Sequence, residues 1–502
     1  MRFARTSGVL LHPTSLPGPH GSGDLGASAY HFVDWLVSAG QRRWQVLPLG
    51  PPGEGHSPYM SDSAFAGNPL LVDLHELHAR GWLSHDDLVA DPGFASERVR
   101  FETMVAWRRA RLARAAAVFD ASASADERAQ FGEFRRRHAY WLEDYSLFKA
   151  LEDEQSGKPW CDWPAGLARR EPSVLASARE RLATPLRHVA FMQWCFFRQW
   201  AALRRYANDR GIEIIGDAPI FVAWQSADVW SYPELFELDA DGRPEAVAGV
   251  PPDYFSATGQ RWGNPLYRWS AHAQHGFRWW IDRIRSAFEL VDILRIDHFR
   301  GFAAFWRIPV HEATALNGQW VLGPGAALFE ALARELGPLP IIAEDLGTLT
   351  PDVVSLRRRF DLPGMSVLQF AWSGDAGNAY LPHNHERDSV VYTGTHDNDT
   401  AVGWWSGVDE SVRRQVRDYL GTDGHEIHWA LIRAACASVA DTAIHPLQDI
   451  LGLDGHHRMN VPGQPDGCWG WRFDWGQFGP EPARRLASLC RLYGRDGGGK
   501  TP

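Results

Sequence analysis

The sequence predicts an α/β fold, a (β/α)8 TIM barrel with helical and loop insertions between its strands. Three observations lead there. Eight short apolar runs of strand length recur along the 502 residues, most of them separated by stretches with helical periodicity. Acidic residues stand at the C-terminal ends of four of these runs, where a barrel enzyme keeps its chemistry. Neither of the usual Gly-rich phosphate loops is present, which weakens the alternative of a doubly wound sheet. The length admits two or three domains, but single barrels with insertions also reach this size, and one catalytic domain over residues 1–502 is expected.

The first strand is read at residues 9–13, from Val9, Leu10 and Leu11 to His12 and Pro13. A helix follows from Ala27, with Phe32, Trp35, Leu36 and Ala39 at three- and four-residue spacing and Gly40 as its stop. Residues 44–49 are the second strand. The loop beyond it, through Ser57, Tyr59 and Asn68, is polar and aromatic without periodicity, and so reads as functional. Residues 74–186 turn rich in Ala, Arg and Glu at helical spacing and are expected to form a mainly helical insertion. A further helix carrying Phe191, Trp194 and Arg198 ends at Gly211 and feeds the third strand, 212–217.

Residues 219–270 are read as a loop-rich insertion covering the active site, with the Gly-, Pro- and aromatic-rich tail 249–265 as an irregular loop. An amphipathic helix then places Phe277, Trp280, Ile281, Ile284 and Phe288 on one stripe. It leads into strand four, 291–296. Strands five to eight are placed at 340–345, 365–370, 389–394 and from Thr442, with helices between them.

Composition excludes several classes. A net charge of -10 with mixed signs argues against nucleic acid or an anionic membrane as partner. No apolar run reaches the roughly 18 residues of a membrane span, and the N-terminus lacks the apolar core of a signal peptide. Five scattered cysteines without CxxC spacing suit the cytoplasm and supply no zinc site. The 24 tryptophans are a surplus: many are expected in the core, and flat half-polar rings also suit stacking on sugars.

The acids at the strand ends are Asp217, Asp297, Glu344 and Asp397, with His12, His298 and His396 on the same rim. On strand four Arg295 and Asp297 share a face, so the arginine is expected to keep the aspartate ionised. Taken alone, that pair is equally well a salt bridge closing a strand end. Four acids on one rim are harder to explain structurally, because clustered like charges cost stability. Metal-dependent hydrolysis lacks an HxH or HExxH pair. Retaining glycosyl transfer needs one ionised carboxylate and one protonated carboxylic acid, and Asp297 and Glu344 fit these roles.

The segments L-H-P-T-S-L-P-G from Leu11, S-P-Y from Ser57, G-D-A-P-I-F-V from Gly216 and R-I-D-H-F-R-G from Arg295 form an ordered set. It continues with A-E-D-L-G from Ala343, T-G-T-H-D-N from Thr393 and R-M-N-V-P-G from Arg458. In these the chain resembles the amylomaltases, or disproportionating enzymes, the 4-alpha-glucanotransferases related to the alpha-amylases. The resemblance implies Asp297 as nucleophile, Glu344 as acid and base, and Asp397 as the group gripping sugar hydroxyls. It implies substrate-binding roles for Ser57, Tyr59, Asp217, Trp262, Arg295, His396 and Asn460. It further implies α-1,4-glucans and maltooligosaccharides as substrates, glucose as acceptor, a monomer or weak homo-oligomer, and no cofactor or metal. His56, Met60, Asp62 and Cys468 depart from the family pattern. The alternatives are an alpha-amylase-type hydrolase with the same carboxylates and a carbohydrate-binding protein without activity.

Overall fold

The computed structural model describes residues 3–252, 256–347, 350–464 and 466–497. The described residues form twelve strands: β1 Thr6–Leu10, β2 Arg43–Gln45, β3 Glu213–Pro219, β4 Ala246–Val250, β5 Gln260–Pro265, β6 Ile293–Asp297, β7 Ala304–Pro309, β8 Gln319–Leu322, β9 Ile341–Ala343, β10 Gly364–Val367, β11 Ser389–Tyr392 and β12 Thr442–Pro446. Eight of them make one sheet in the order β10-β11-β12-β1-β2-β3-β6-β9, every pair parallel. Across the remaining seam the Ala343 amide donates to the Pro363 carbonyl at 2.9 Å and the Met365 amide to Asp345 Oδ1 at 2.8 Å. Peptide and carboxylate thus join β9 to β10, and the sheet is a near-closed (β/α)8 barrel.

All eight predicted barrel strands are present, with shifted ends. Both ends shift at β1, which begins at Thr6 and ends at Leu10, while His12 and Pro13 already enter the turn Pro13–Ser15. Its polar start is fixed by a close approach. A Cβ on Gly8 would lie 2.3 Å from Arg43 Cβ, so only glycine lets β1 and β2 pair there. Likewise β10 stops at Val367, and Leu368–Phe370 coils into a 3-10 turn.

The tail 249–265 differs from its reading as an irregular loop. Its ends β4 and β5 are antiparallel strands that continue through β7 and β8 into a second sheet, ordered β5-β4-β7-β8. β8 lies at the sheet edge with Leu322 exposed, so no periodic burial marked it in the sequence. Asp253, Tyr254 and Phe255 of the expected covering loop lie outside the described residues.

Residues 74–186 carry the helices Leu74–Ala79, Phe101–Ser122, Ala125–Arg137, Ala139–Glu154, Ala165–Ala168 and Pro172–Arg181. Ala125–Arg137 starts on a capping box: Glu127 N donates to Ser124 Oγ at 3.2 Å, and Ser124 N donates to Glu127 Oε2 at 2.9 Å. The 27-residue helix Ala183–Asp209 then returns the chain to β3. Tryptophan goes mainly inward: Trp44, Trp82, Trp200, Trp230 and Trp280 are among the largest fully buried side chains. Among the described residues no helix is long and apolar enough to cross a membrane.

The helix Arg278–Leu290 shows how packing sets the rim. Trp280, Ile281 and Ile284 face the core, and the buried Arg283 donates to the carbonyls of Pro219 and Ile220. That cation fastens the C-terminal end of β3, two residues beyond Asp217.

Candidate active site

The site is assembled at the C-terminal ends of the barrel strands. Register decides the neighbours. Asp217 on β3 pairs with Arg295 on β6, and Ile296 on β6 pairs with Ala343 on β9. Asp297 and Glu344 each follow one of the latter pair, so their backbones sit side by side on adjacent strands, at the roughly 4.8 Å strand spacing.

Arg295 lies buried between two acids. Its guanidinium meets Asp217 Oδ2 at 2.5 Å and Asp297 Oδ1 at 3.0 Å, and its Nε faces Met365 Sδ at 3.3 Å. Arg295 acts on Asp297 alongside several other groups. Burial raises the Asp297 carboxyl, Arg295 pulls against the rise, and Asp217 and Asp397 add to it, which leaves the group at about 6. The guanidinium is shared with Asp217, so it offsets only part of the burial cost. The carboxyl still ionises below neutral pH.

Glu344 is raised further, to about 7, by burial first and the neighbouring Asp297 second. Arg295 opposes the rise, as do two backbone donors, His298 N to Oε2 at 2.7 Å and Leu346 N to Oε1 at 2.9 Å. His298 can offer its amide because it takes a left-handed conformation, φ 53°, just after β6. Its own imidazole is pushed down to about 3 by burial and stays neutral.

Asp397 behaves in the opposite way. Burial acts to raise it, but the His396 imidazole, 3.3 Å from Oδ2, and the Asn460 amide, 2.6 Å from Oδ1, outweigh burial and lower it to about 2. Asp397 in turn holds His396 above its ordinary value against burial. Arg458 locks the segment by donating to the carbonyls of Asp397, at 2.9 Å, and Asn460, at 3.1 Å.

Tyr59 brings the first loop to this cluster. Its phenol donates to Asp217 Oδ2 at 2.7 Å and its ring stacks on His396, centroids 4.9 Å apart. Burial and the adjacent Asp217 keep the phenol protonated. Ser57 acts as the cap of the turn Pro58–Met60, accepting from Tyr59 N at 3.2 Å. Trp262 on β5 stands edge-on to His298 at 4.8 Å. His12 is buried and pushed down to about 3 by burial. Trp469, which the sequence reading passed over, closes the aromatic wall beside Tyr59 at 5.7 Å and His396 at 5.9 Å.

Three carboxyls with different proton affinities in an aromatic-walled groove are a set for glycosyl chemistry. Residues 11–477 match the family described as 4-alpha-glucanotransferase. The chain belongs to the 4-alpha-glucanotransferase family. It is 50% identical over 503 residues to a 4-alpha-glucanotransferase of Thermus thermophilus, covering 99% of this chain and 100% of the relative. A 4-alpha-glucanotransferase of Synechocystis sp. is 48% identical over 495 residues, 98% of each chain. Among solved structures, the amylomaltase from Streptococcus agalactiae in complex with acarbose superposes with a TM-score of 0.95 at 38% identity, covering 98% of this chain and 99% of that one. The amylomaltase from Corynebacterium glutamicum shares the fold at 19% identity, with a TM-score of 0.78 over 97% of this chain and 75% of that one.

In this member of the 4-alpha-glucanotransferase family, the four departures from the family pattern are tied into the scaffold. His56 stacks on Phe101 at 4.2 Å. Met60 Sδ accepts from Asn264 Nδ2 at 3.5 Å, linking the first loop to β5. Asp62 pairs with Lys149 of the helical insertion at 2.6 Å. Cys468 Sγ accepts from Val461 N at 3.4 Å, next to Asn460.

Proposed function

We propose that this 4-alpha-glucanotransferase moves α-1,4-glucan segments to the 4-hydroxyl of an acceptor glucan or glucose by a retaining double displacement. Asp297 attacks the anomeric carbon as its bond to the leaving oxygen breaks, and Glu344 gives that oxygen its proton. The covalent glucosyl–Asp297 ester is then opened by the acceptor hydroxyl, whose proton returns to Glu344. Asp397 stays anionic throughout and accepts from sugar hydroxyls in the distorted transition state. Tyr59 stacks on the sugar beside the scissile bond, and Trp262 lines the acceptor side.

One observation carries this reading. Asp297 ends β6 and Glu344 follows β9 beside it; burial raises both carboxyls, and Glu344 is raised further because the charge of Asp297 adds to its burial, so near neutral pH the proton resides preferentially on Glu344. That is the protonation state the first step needs. Maltooligosaccharides are the proposed donors, and the five free cysteines support a reducing, cytoplasmic setting.

Incubation with maltotriose tests the reaction. Transfer yields glucose together with chains longer than the substrate, whereas a hydrolase yields only shorter ones. Asp297→Asn should abolish both products while glucan binding persists; normal turnover in that variant would remove Asp297 from the nucleophile role.

A further inference from the structure

Away from the carboxylates the molecule holds a second cavity, of about 210 Å³. It opens where the helix Ala139–Glu154 of the insertion meets the short helix Ala227–Ser231 and the first turn of Arg278–Leu290. That volume is room for several waters, or for one sugar ring in their place. None of the residues assigned above to the active site lines it.

Its walls combine aromatic faces with hydrogen-bonding groups. Phe65, Trp141, Tyr145 and Trp279 form a buried floor, while Tyr140 and Tyr232 stand more open at the rim. Two of the four lining acids are already compensated by arginines. Asp144 is held by Arg170 at 2.8 Å and Arg179 at 3.3 Å, and Asp282 by Arg278 at 2.8 Å and Arg285 at 2.5 Å. A carboxylate offers about four lone-pair sites, so each keeps acceptor capacity for a ligand hydroxyl. Trp279 Nε1 is already engaged by the Asp228 carboxylate and His272 by the Leu235 carbonyl, so they order the wall. The buried Ser231 Oγ has no partner and is the hydroxyl open to a ligand.

We propose that this cavity is an accessory binding site for a glucosyl unit of an α-glucan chain, separate from the catalytic groove. Aromatic faces meet the C–H faces of a sugar, and the Ser231 hydroxyl and the spare carboxylate acceptors meet its hydroxyls. Other ligand classes fit less well. An anion would face Asp144, Asp228, Glu234 and Asp282, a cation would compete with arginines already in place, and an apolar ligand would leave the polar atoms stranded. The inference rests on α-glucans being the substrates of the site described above.

Filling the cavity tests it. Ser231→Trp should weaken retention on immobilised amylose by roughly three- to tenfold, the loss of one sugar-binding platform. Turnover of maltotriose by the same variant should stay within about twofold of the parent, well short of that loss. Tyr232→Ala, which removes a rim ring without adding volume, should weaken retention in the same direction and serves if the larger side chain is not tolerated. Unchanged retention in the folded variants overturns the proposal. So does a parallel fall in retention and maltotriose turnover, which would make the cavity a support of the catalytic groove. Asp297→Asn measured alongside keeps the two readings apart, because loss of turnover with intact retention speaks only to the nucleophile.

Discussion

The Tyr59 hydroxyl donates to the Asp217 carboxylate at 2.7 Å, joining the loop after β2 to the end of β3. The bond does two things: it fixes a ring stacked on His396, and it supplies Asp217 with a neutral donor beside the charged Arg295. Tyr59→Phe keeps the ring and loses the bond, and should lower kcat/KM for maltotriose by roughly two- to tenfold, the worth of one hydrogen bond. Tyr59→Ala should lose considerably more. Equal losses in the two variants would mean that ring placement contributes nothing.

Arg295 compensates two buried acids, so its removal should be felt in both stability and pH response. Arg295→Met leaves Asp217 and Asp297 facing each other without a cation, a change of about 3–5 kcal/mol for a buried pair broken from one side. Denaturant titration reads that loss. In whatever folded protein remains, the acid limb of the activity profile should move to higher pH, since the group opposing the rise of Asp297 is gone. Arg295→Lys supplies one compact charge where a fork reached two partners, and should recover only part of the loss.

The pair Asp297 and Glu344 predicts a narrow bell of kcat/KM against pH. Below about 6 Asp297 takes up a proton and cannot attack; above about 7 Glu344 has lost the proton it must give. The two limbs belong to the coupled pair, as macroscopic values do. With a glycosyl fluoride donor, whose leaving group needs no proton, the alkaline limb of the first step should vanish in Glu344→Gln. Its persistence would transfer that limb to another group.

Asn460→Ala withdraws the amide that donates to Asp397 at 2.6 Å. A hydrogen bond to a charged acceptor is worth about 1.5–3 kcal/mol, so kcat/KM should fall by roughly one to two orders of magnitude. The carboxyl should also rise from about 2, since one of the groups that oppose burial is gone and only His396 and Arg295 remain against it. A variant with normal turnover would show that the Asn460 bond carries none of the function.

Away from the chemistry, Lys149 and Asp62 form an ion pair in which both side chains are largely buried, at 15% and 13% exposure. Lys149→Ala should destabilise the fold by about 3 kcal/mol, because Asp62 is left buried without its cation. The measurement is the shift in denaturation midpoint, and a shift near zero would show that water reaches Asp62.

The barrel was legible where residues announce burial by themselves. β6 was readable from Ile293, Leu294 and Ile296, and the helix Arg278–Leu290 from its apolar stripe. The start of β1 was not, because Thr6, Ser7 and Gly8 become strand through a close approach to Arg43 on another segment. β7 and β8 were not legible for a related reason: among the described residues they pair with each other and β7 with β4, away from the barrel, and β8 buries little. In the site, every carboxylate could be named in advance, while Trp469 could not, since its place beside Tyr59 arises from a contact across hundreds of residues.

By itself the sequence determined the alternation of strands and helices, the order of the motifs and the identity of the acids at the strand ends. These follow from local hydrophobic period and from side-chain chemistry, which need no partner. Only the tertiary structure decided how tightly each acid holds its proton. Asp297, Glu344 and Asp397 are chemically similar groups, yet they settle at about 6, about 7 and about 2. Proton affinity depends on burial and on charges arriving through space, and the residues that supply them, Asp217, Arg295, His396 and Asn460, come from four separate stretches of the chain.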